Sequence, residues 1–254
     1  MALRVEHDLI GFREGLRRNY PNLRALELID SGCVLYCPLR KAEAGLTPDL
    51  SGKGNNGKVI GPVLTKIGEK YYVKWKGKLI EIGEQALSFD GVDDYVDCGD
   101  LSVAESKKFS YAAWIKTTQT GIDKWIVSEG DSISVTPISG LINEDGVARA
   151  FFRDDAKDTA HILGTKIIND GNWHFLVSTA DGNTLRIYTD GELENSGILP
   201  TGDISLTTAA IGALIRSTVG CFVNGLIDEV RIYNRGLPAE EIRFHHNLLK
   251  PLFQ

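Results

Sequence analysis

Four oxygen-bearing side chains are of the type a hard cation takes as ligands: Asp49, Asn55 and Asn56 within one glycine-containing loop, and Asp228 in an apolar run near the C-terminus. Strict alternation from Leu226 to Ile232 puts Asp228 on the face of Leu226, Val230 and Ile232, which should point into a core. A buried carboxylate there needs backbone amides, an arginine or a cation as partner. Asp49, Asn55 and Asn56, with nearby carbonyls, offer ligands of the hardness calcium prefers. In the competing reading Asp49 caps a turn and amides satisfy Asp228.

Other residue types with catalytic potential lack the necessary company. Glycoside hydrolysis needs two carboxylates about 5 to 10 Å apart across a cleft. Glu129-Gly130-Asp131 and Glu192-Leu193-Glu194 are the nearest approaches, and both read as solvated loop charge. The five histidines, His7, His161, His174, His245 and His246, accompany no GxSxG nucleophile motif. His174 reads as packed, whereas His245 and His246 read as the polar rim of a terminal helix. No complete Walker motif is present, and Gly52-Lys53-Gly54-Asn55-Asn56-Gly57, which has GxGxxG spacing, reads as turn glycine and not as a phosphate cradle. Cys33 and Cys37 on one strand would lie about 13 Å apart, beyond the roughly 7 Å a disulfide spans. The four cysteines, with Cys98 and Cys221, therefore read as small buried hydrophobes, a long-range pair involving Cys98 or Cys221 remaining open.

The elements that must position these groups are short strands. Asp-Gly occurs five times, at Asp90, Asp145, Asp170, Asp181 and Asp190, each beside β-branched or aromatic residues. Asp-Gly supplies the positive φ angles that tight hairpins need. No long helical pattern interrupts Cys33 to Gly236, which excludes the crossovers of a parallel sheet and leaves an antiparallel sandwich or barrel. In Phe109 to Thr117, Tyr111, Ala113 and Ile115 alternate with Ser110, Ala112, Trp114 and Lys116, so both faces are apolar and a central strand is expected. In Thr184 to Thr189, Leu185 and Ile187 oppose Arg186 and Tyr188. Leu237 to Ile242 begins a terminal helix, with Ile242 and Leu249 docking it. Residues 1–31 differ: Leu9, Phe12 and Leu16 recur at helical spacing, and a second helix is expected from Pro21 to Ile29. This helical N-terminal appendage is a candidate for protein partners or self-association, beside a sandwich domain over 32–254.

Composition narrows the function classes. Hydrophobic residues are 43% and charged residues 24%, ordinary for a globular chain. No apolar run approaches the roughly 20 residues of a membrane span. A net charge of −6 argues against nucleic-acid binding, which needs a concentrated basic surface. The first twenty residues carry charge throughout without an apolar core, so no secretory signal is expected and any export takes another route.

Five segments occur in the order of a known family: Cys33 to Gly61 with its Asp49-Leu50-Ser51-Gly52 loop, Ala86 to Asp100, Phe109 to Thr117, Gly171 to Leu193 and Gly225 to Ile242. Together they resemble the laminin G-like jelly-roll family of the concanavalin A-like lectin and glucanase superfamily. The resemblance implies an all-β, antiparallel two-sheet jelly-roll sandwich closed by a C-terminal helix. It also implies a structural calcium (Ca2+) near the acidic residue at Asp228. Lys66 to Gly83 is longer than the family's usual connection and should add a hairpin. Asp131 to His161 matches only loosely, in the region where family members differ in ligand. The superfamily's glucanases carry Glu-x-Asp-x-x-Glu on one strand; here the third acid is missing after Glu129 and Asp131. The expectation is a non-catalytic carbohydrate-binding or adhesive module, with Asp123, Trp125, Arg153, Asp154 and Asp155 as ligand-binding candidates. Sugar rings stack on aromatic faces beside a few polar groups. The alternatives are a structural or assembly protein of a virus-like or cell-surface particle using the sandwich as scaffold, and a polysaccharide-active glycoside hydrolase.

Overall fold

A computed structural model describes residues 31–37, 39, 45–61, 63–66, 71–75, 78–82, 85–250 and 253, with backbone alone from 63 to 85. The two helices expected before Gly32 lie outside the described residues. Gly32–Gln254 forms a compact unit. Its strands are, in order, β1 (Cys33–Cys37), β2 (Leu46–Thr47), β3 (Gly57–Ile60), β4 (Val63–Lys66), β5 (Tyr71–Trp75), β6 (Lys78–Ile82) and β7 (Gln85–Asp90). There follow β8 (Tyr95–Gly99), β9 (Lys108–Lys116), β10 (Lys124–Gly130), β11 (Ile138–Glu144), β12 (Val147–Arg153) and β13 (Thr159–Ile167). The last are β14 (Trp173–Asp181), β15 (Thr184–Thr189), β16 (Glu192–Ile198), β17 (Thr208–Ile211), β18 (Leu214–Ile215), β19 (Val219–Gly220) and β20 (Asn224–Tyr233), before the helix α1 (Ala239–Leu249).

Two antiparallel sheets make the sandwich. The first runs β16-β15-β14-β9-β20-β7-β4, with β1 also on β20; the second runs β13-β12-β11-β10-β17-β8-β3-β2. The hairpin expected between Lys66 and Gly83 is present as β5 paired with β6. Between the sheets Phe109, Tyr111, Ala113 and Ile115 of β9 meet Ile126, Val127, Leu141, Phe152 and Ile211 of the second sheet. Phe109 stacks on Phe152 with centroids 6.2 Å apart. Each such fully buried large side chain stabilises the fold by about 1.5 to 3 kcal/mol.

The alternation read along β9 holds, since this strand is central, flanked by β14 and β20. Its other face packs Ala112 and Trp114 with Ile242 and Leu249 of α1, as expected. Of the five Asp-Gly pairs, Asp145-Gly146 and Asp190-Gly191 have both residues at positive φ, the geometry of tight hairpins, and they join β11 to β12 and β15 to β16. At the other three only the glycine is positive, so those turns are of other kinds.

One parity reading fails, for a local reason. The pairing of β20 with β9 shifts register between Asp228 and Arg231, and Glu229 takes φ 52° as the extra residue of a bulge. Asp228 therefore pairs with Trp114 on the helix-covered face, while Val230 and Ile232 face the interior. Asp228 is buried as expected, but on the opposite face from Val230 and Ile232.

Candidate functional site

The loop at Asp49 is organised by that carboxylate. Its Oδ1 accepts the amides of Tyr36 (3.0 Å) and Ser51 (2.8 Å), and its Oδ2 accepts the Ser51 hydroxyl (2.8 Å) and the Asn55 amide (3.0 Å). Asn55 donates through Nδ2 to the Val34 carbonyl, and Asn56 Oδ1 accepts the Asp49 amide. Asp228 Oδ1 accepts the amides of Leu39 (2.9 Å) and Glu229 (2.7 Å). Each oxygen of Asp49 thus already takes two donors, and as arranged this set does not fit a cation, which would have to displace N–H and O–H groups. A second acidic group, which sequence reasoning did not single out, is Asp90, Asp93 and Asp94, with one oxygen of each within 4.8 Å of the others. Two of its members hold the local turn: Asp90 Oδ1 accepts the Val92 amide, and Asp94 Oδ2 the Asp90 amide. Burial raises the Asp94 pKa, and the neighbouring carboxylates add to it.

The residues that come together as a surface lie on the outer face of the second sheet. Strand pairing sets them in three rows across β10, β11, β12 and β13: Trp125, Ile142, Arg149, Leu163; then Ser128, Gly140, Phe151, His161; then Gly130, Ile138, Arg153, Thr159. Trp125 lies over Gly140, where a Cβ would fall 2.6 Å from its ring. It meets Phe151 edge-on at 5.8 Å, and Phe151 meets His161 at 6.1 Å. Trp125 is only 3% exposed, so it braces the row from beneath, whereas Phe151 is half-buried and His161 exposed.

Charge frames this aromatic row at both ends. Arg149 is buried under it, bonded to Asp123, 3.0 Å from Glu144 Oε2 and 3.3 Å from His161 Nε2, with its guanidinium 5.1 Å from the Phe151 ring centre. Asp123 adopts φ 55° and donates its amide to Glu144 at 2.9 Å, so this loop residue is fixed by the cluster it helps build. Burial and the Arg149 charge lower the His161 pKa. At the far end Arg153 donates from Nε to the Thr136 carbonyl (2.6 Å) and from Nη2 to the Val135 carbonyl, which Arg216 Nη1 also approaches at 3.5 Å. The β18–β19 hairpin carrying Arg216 is seated on β10 by Ser128 Oγ bonding to the Ala213 carbonyl (2.8 Å). Exposed Ile133 (86%) and Val135 (55%) edge the same end.

Of the five predicted ligand-binding residues, Asp123, Trp125 and Arg153 belong to this surface. Asp154 and Asp155 do not: Asp154 Oδ1 accepts the Asp158 amide, and Asp155 accepts the amide and hydroxyl of Ser205, so both brace neighbouring loops. Sequence reasoning missed Arg149, Phe151, His161 and Arg216. For the first two the signal was present, since Val147–Arg153 alternates Arg149, Phe151 and Arg153 with Ala148, Ala150 and Phe152.

A sequence profile described as "Concanavalin A-like lectin/glucanases superfamily" matches residues 90–243, more than half of the chain. The chain belongs to that superfamily. No curated protein sequence matches it. Among solved structures, this superfamily member is similar to the binding domain of Paraclostridial Mosquitocidal Protein 1 (TM-score 0.60, 14% identity, covering 87% of this chain and 53% of that one). It is also similar to domain 4 of AbnA, a GH43 extracellular arabinanase from Geobacillus stearothermophilus, solved in complex with arabinotriose (TM-score 0.58, 18% identity, 88% and 99%). A third is the binding domain of Botulinum Neurotoxin DC in complex with SialylT (TM-score 0.57, 15% identity, 87% and 52%). The chain spans about half the length of the two toxin binding domains and nearly all of the arabinanase domain. These likenesses establish the jelly-roll fold.

Within this concanavalin A-like sandwich two groups of ionisable residues differ from expectation. Glu129 is not a solvated loop charge: it is fully buried, accepting the Tyr111 hydroxyl (2.5 Å) and the amides of Val103 and Ala104 (2.9 and 3.0 Å). Burial pushes its carboxyl up to about 7 against those donors. His245 and His246 are no polar rim, because α1 presses them onto the first sheet, where His246 stacks on Trp114 at 5.6 Å. His174 is packed as expected, its ring nitrogens 2.9 Å from Asp190 and 3.2 Å from Asp170.

Proposed function

We propose that this domain is a non-catalytic carbohydrate-binding module whose ligand lies across the outer face of the second sheet. The observation that carries the reading is the row of Phe151 and His161, braced by Trp125 over Gly140 and held between two arginine-bearing ends. Alternate residues on one strand face are about 7 Å apart, so Arg149, Phe151 and Arg153 offer a repeating polar and aromatic strip along β12. Sugar recognition uses such a combination, a ring face for the apolar side of the sugar and fixed donors for its hydroxyls. Asp123 and Glu144 converge on Arg149 rather than on open space, an arrangement suited to positioning and not to proton transfer. The arabinotriose of the similar arabinanase domain and the SialylT of the similar toxin domain support carbohydrate as the ligand class.

The test is a glycan array probed with the whole chain in the presence of EDTA and again with calcium, followed by titration of each hit against Phe151→Ala. Binding weakened about 10-fold or more by that substitution is expected. Absence of any hit under both conditions, or hits indifferent to Phe151→Ala, would overturn the proposal.

A further inference from the structure

We propose that Arg153 and Arg216 form an acid-recognition subsite, so that the preferred ligand is a carboxylate-bearing sugar, a uronic or nonulosonic acid unit, with its ring over Phe151. This deepens the carbohydrate-binding reading and rests on it.

The two guanidinium groups come from separate elements, β12 and the β18–β19 hairpin, yet both reach the carbonyl of Val135. Among the described residues neither has a carboxylate within ion-pair distance, in contrast to Arg149, Arg186, Arg231, Arg235 and Arg243, each of which does. Two like charges drawn together without a counter-ion repel, and in a chain of net charge −6 acidic side chains were plentiful enough to neutralise them. Partial burial and then Arg216 lower the Arg153 pKa, with the more distant Asp123 acting against them.

Donors remain for a ligand. Arg153 spends Nε and Nη2 on the carbonyls of Thr136 and Val135, and Arg216 spends Nη1 on Val135. Among the described residues Arg153 Nη1 and Arg216 Nε and Nη2 have no protein partner, and none of them is sealed from solvent. The carbonyl contacts fix the forks in place, so a carboxylate meets pre-oriented N–H groups and loses little side-chain freedom on binding. Phe151 precedes Arg153 by two residues on the same face, about 7 Å along the strand. One sugar unit can therefore rest on the ring while its acid group reaches the arginines.

The experiment uses matched glycan pairs that differ only in the acid: sialyllactose and lactose, tetragalacturonate and its methyl ester, glucuronoxylotetraose and xylotetraose. Each is titrated calorimetrically into the whole chain, into Arg216→Gln and into Phe151→Ala. The expected result is that at least one acidic member binds about 10-fold or more tightly than its neutral partner. Arg216→Gln should bring that pair within about 3-fold by weakening the acidic member more than the neutral one, and 0.5 M salt should have the same effect on the wild type. Arg216 is the safer substitution, because it makes one long carbonyl contact; Arg153→Lys, which keeps charge but loses the fork, should give an intermediate preference. Neutral members bound as tightly as acidic ones, with sensitivity to Phe151→Ala, would overturn the acid subsite and leave the carbohydrate reading standing. A preference that survives Arg216→Gln would also overturn it. Failure of every member to bind would count against both.

Discussion

The outer faces of the two sheets have opposite fates. On the first sheet, α1 and Phe253 seal the surface: Trp114 stacks on Phe253 at 4.4 Å, and Ile242, Leu249 and Tyr233 are buried beneath. Polar groups are trapped there too. Arg231 bonds Glu229 at 2.6 Å, Tyr36 donates to Glu229 at 2.9 Å, and Arg231 lies 4.4 Å from the Tyr36 ring centre, all inside the fold. On the outer face of the second sheet, charged and aromatic side chains alternate along β12, with Phe151 and Arg153 partly open to water. One face is thus committed to stability. The other keeps aromatic and cationic groups at a surface, which is where the proposed ligand would lie.

The comparison can be broken most directly at Trp114. Trp114→Ala should lose about 3 to 5 kcal/mol of unfolding free energy in urea titrations, the range for emptying an aromatic core site, while the glycan affinity of the folded fraction stays unchanged. A loss of affinity with little loss of stability would reverse the roles assigned to the faces. Next in size is the pH response of Glu129, which lies between them. Its folded pKa, about 7, exceeds the ordinary carboxylate value of 4.5, so the folded state holds the proton more tightly. Stability from this group is full below about 4.5 and falls as pH rises to 7, on the order of 3 kcal/mol in all. Glu129→Gln should flatten that slope in thermal melts at pH 5 and pH 8. An unchanged slope would place the titration elsewhere.

Smaller effects sharpen the open face. Gly140→Ala puts a methyl 2.6 Å from the Trp125 ring and 2.5 Å from the Val127 carbonyl. About 1 to 3 kcal/mol of stability should be lost, together with glycan binding, since the brace under Phe151 is displaced. If affinity survives, Trp125 is dispensable to the surface. The smallest expected change concerns His245 on the buried face of α1. Its Nε2 is 3.6 Å from Glu241, beyond hydrogen-bond reach, and burial lowers its pKa. A histidine held neutral by the fold contributes stability that is lost as pH falls through its unfolded value near 6.5. His245→Asn should therefore lessen destabilisation between pH 7 and pH 5, read by hydrogen exchange of α1 amides.

Much of the fold was legible because its signals are periodic. Tyr111, Ala113 and Ile115 against Ala112 and Trp114 announced a central strand, and Leu237 to Ile242 announced the helix that covers it. Alternation misled only where the backbone broke it, at the Glu229 bulge that moved Asp228 to the other face. Burial of charge was less legible. Glu129 looked solvated beside Gly130 and Asp131, yet a 3-10 turn at Val103–Ser106 supplies two amides from far away in sequence. The site was legible in part for the same reason. Trp125 and Arg153 stand out as residue types, but Arg216 joins them only through a hairpin folded back on β10, a relation that no local pattern encodes.

The central claim is that the open face of the second sheet binds carbohydrate, and hydrogen–deuterium exchange with and without the tightest array glycan tests it most directly. Protection should appear in β12, β13, residues 131–137 and the β18–β19 hairpin, with α1 and β14 unchanged. Protection confined to α1 and the first sheet, or none in β12 and β13 at saturating glycan, would contradict the account.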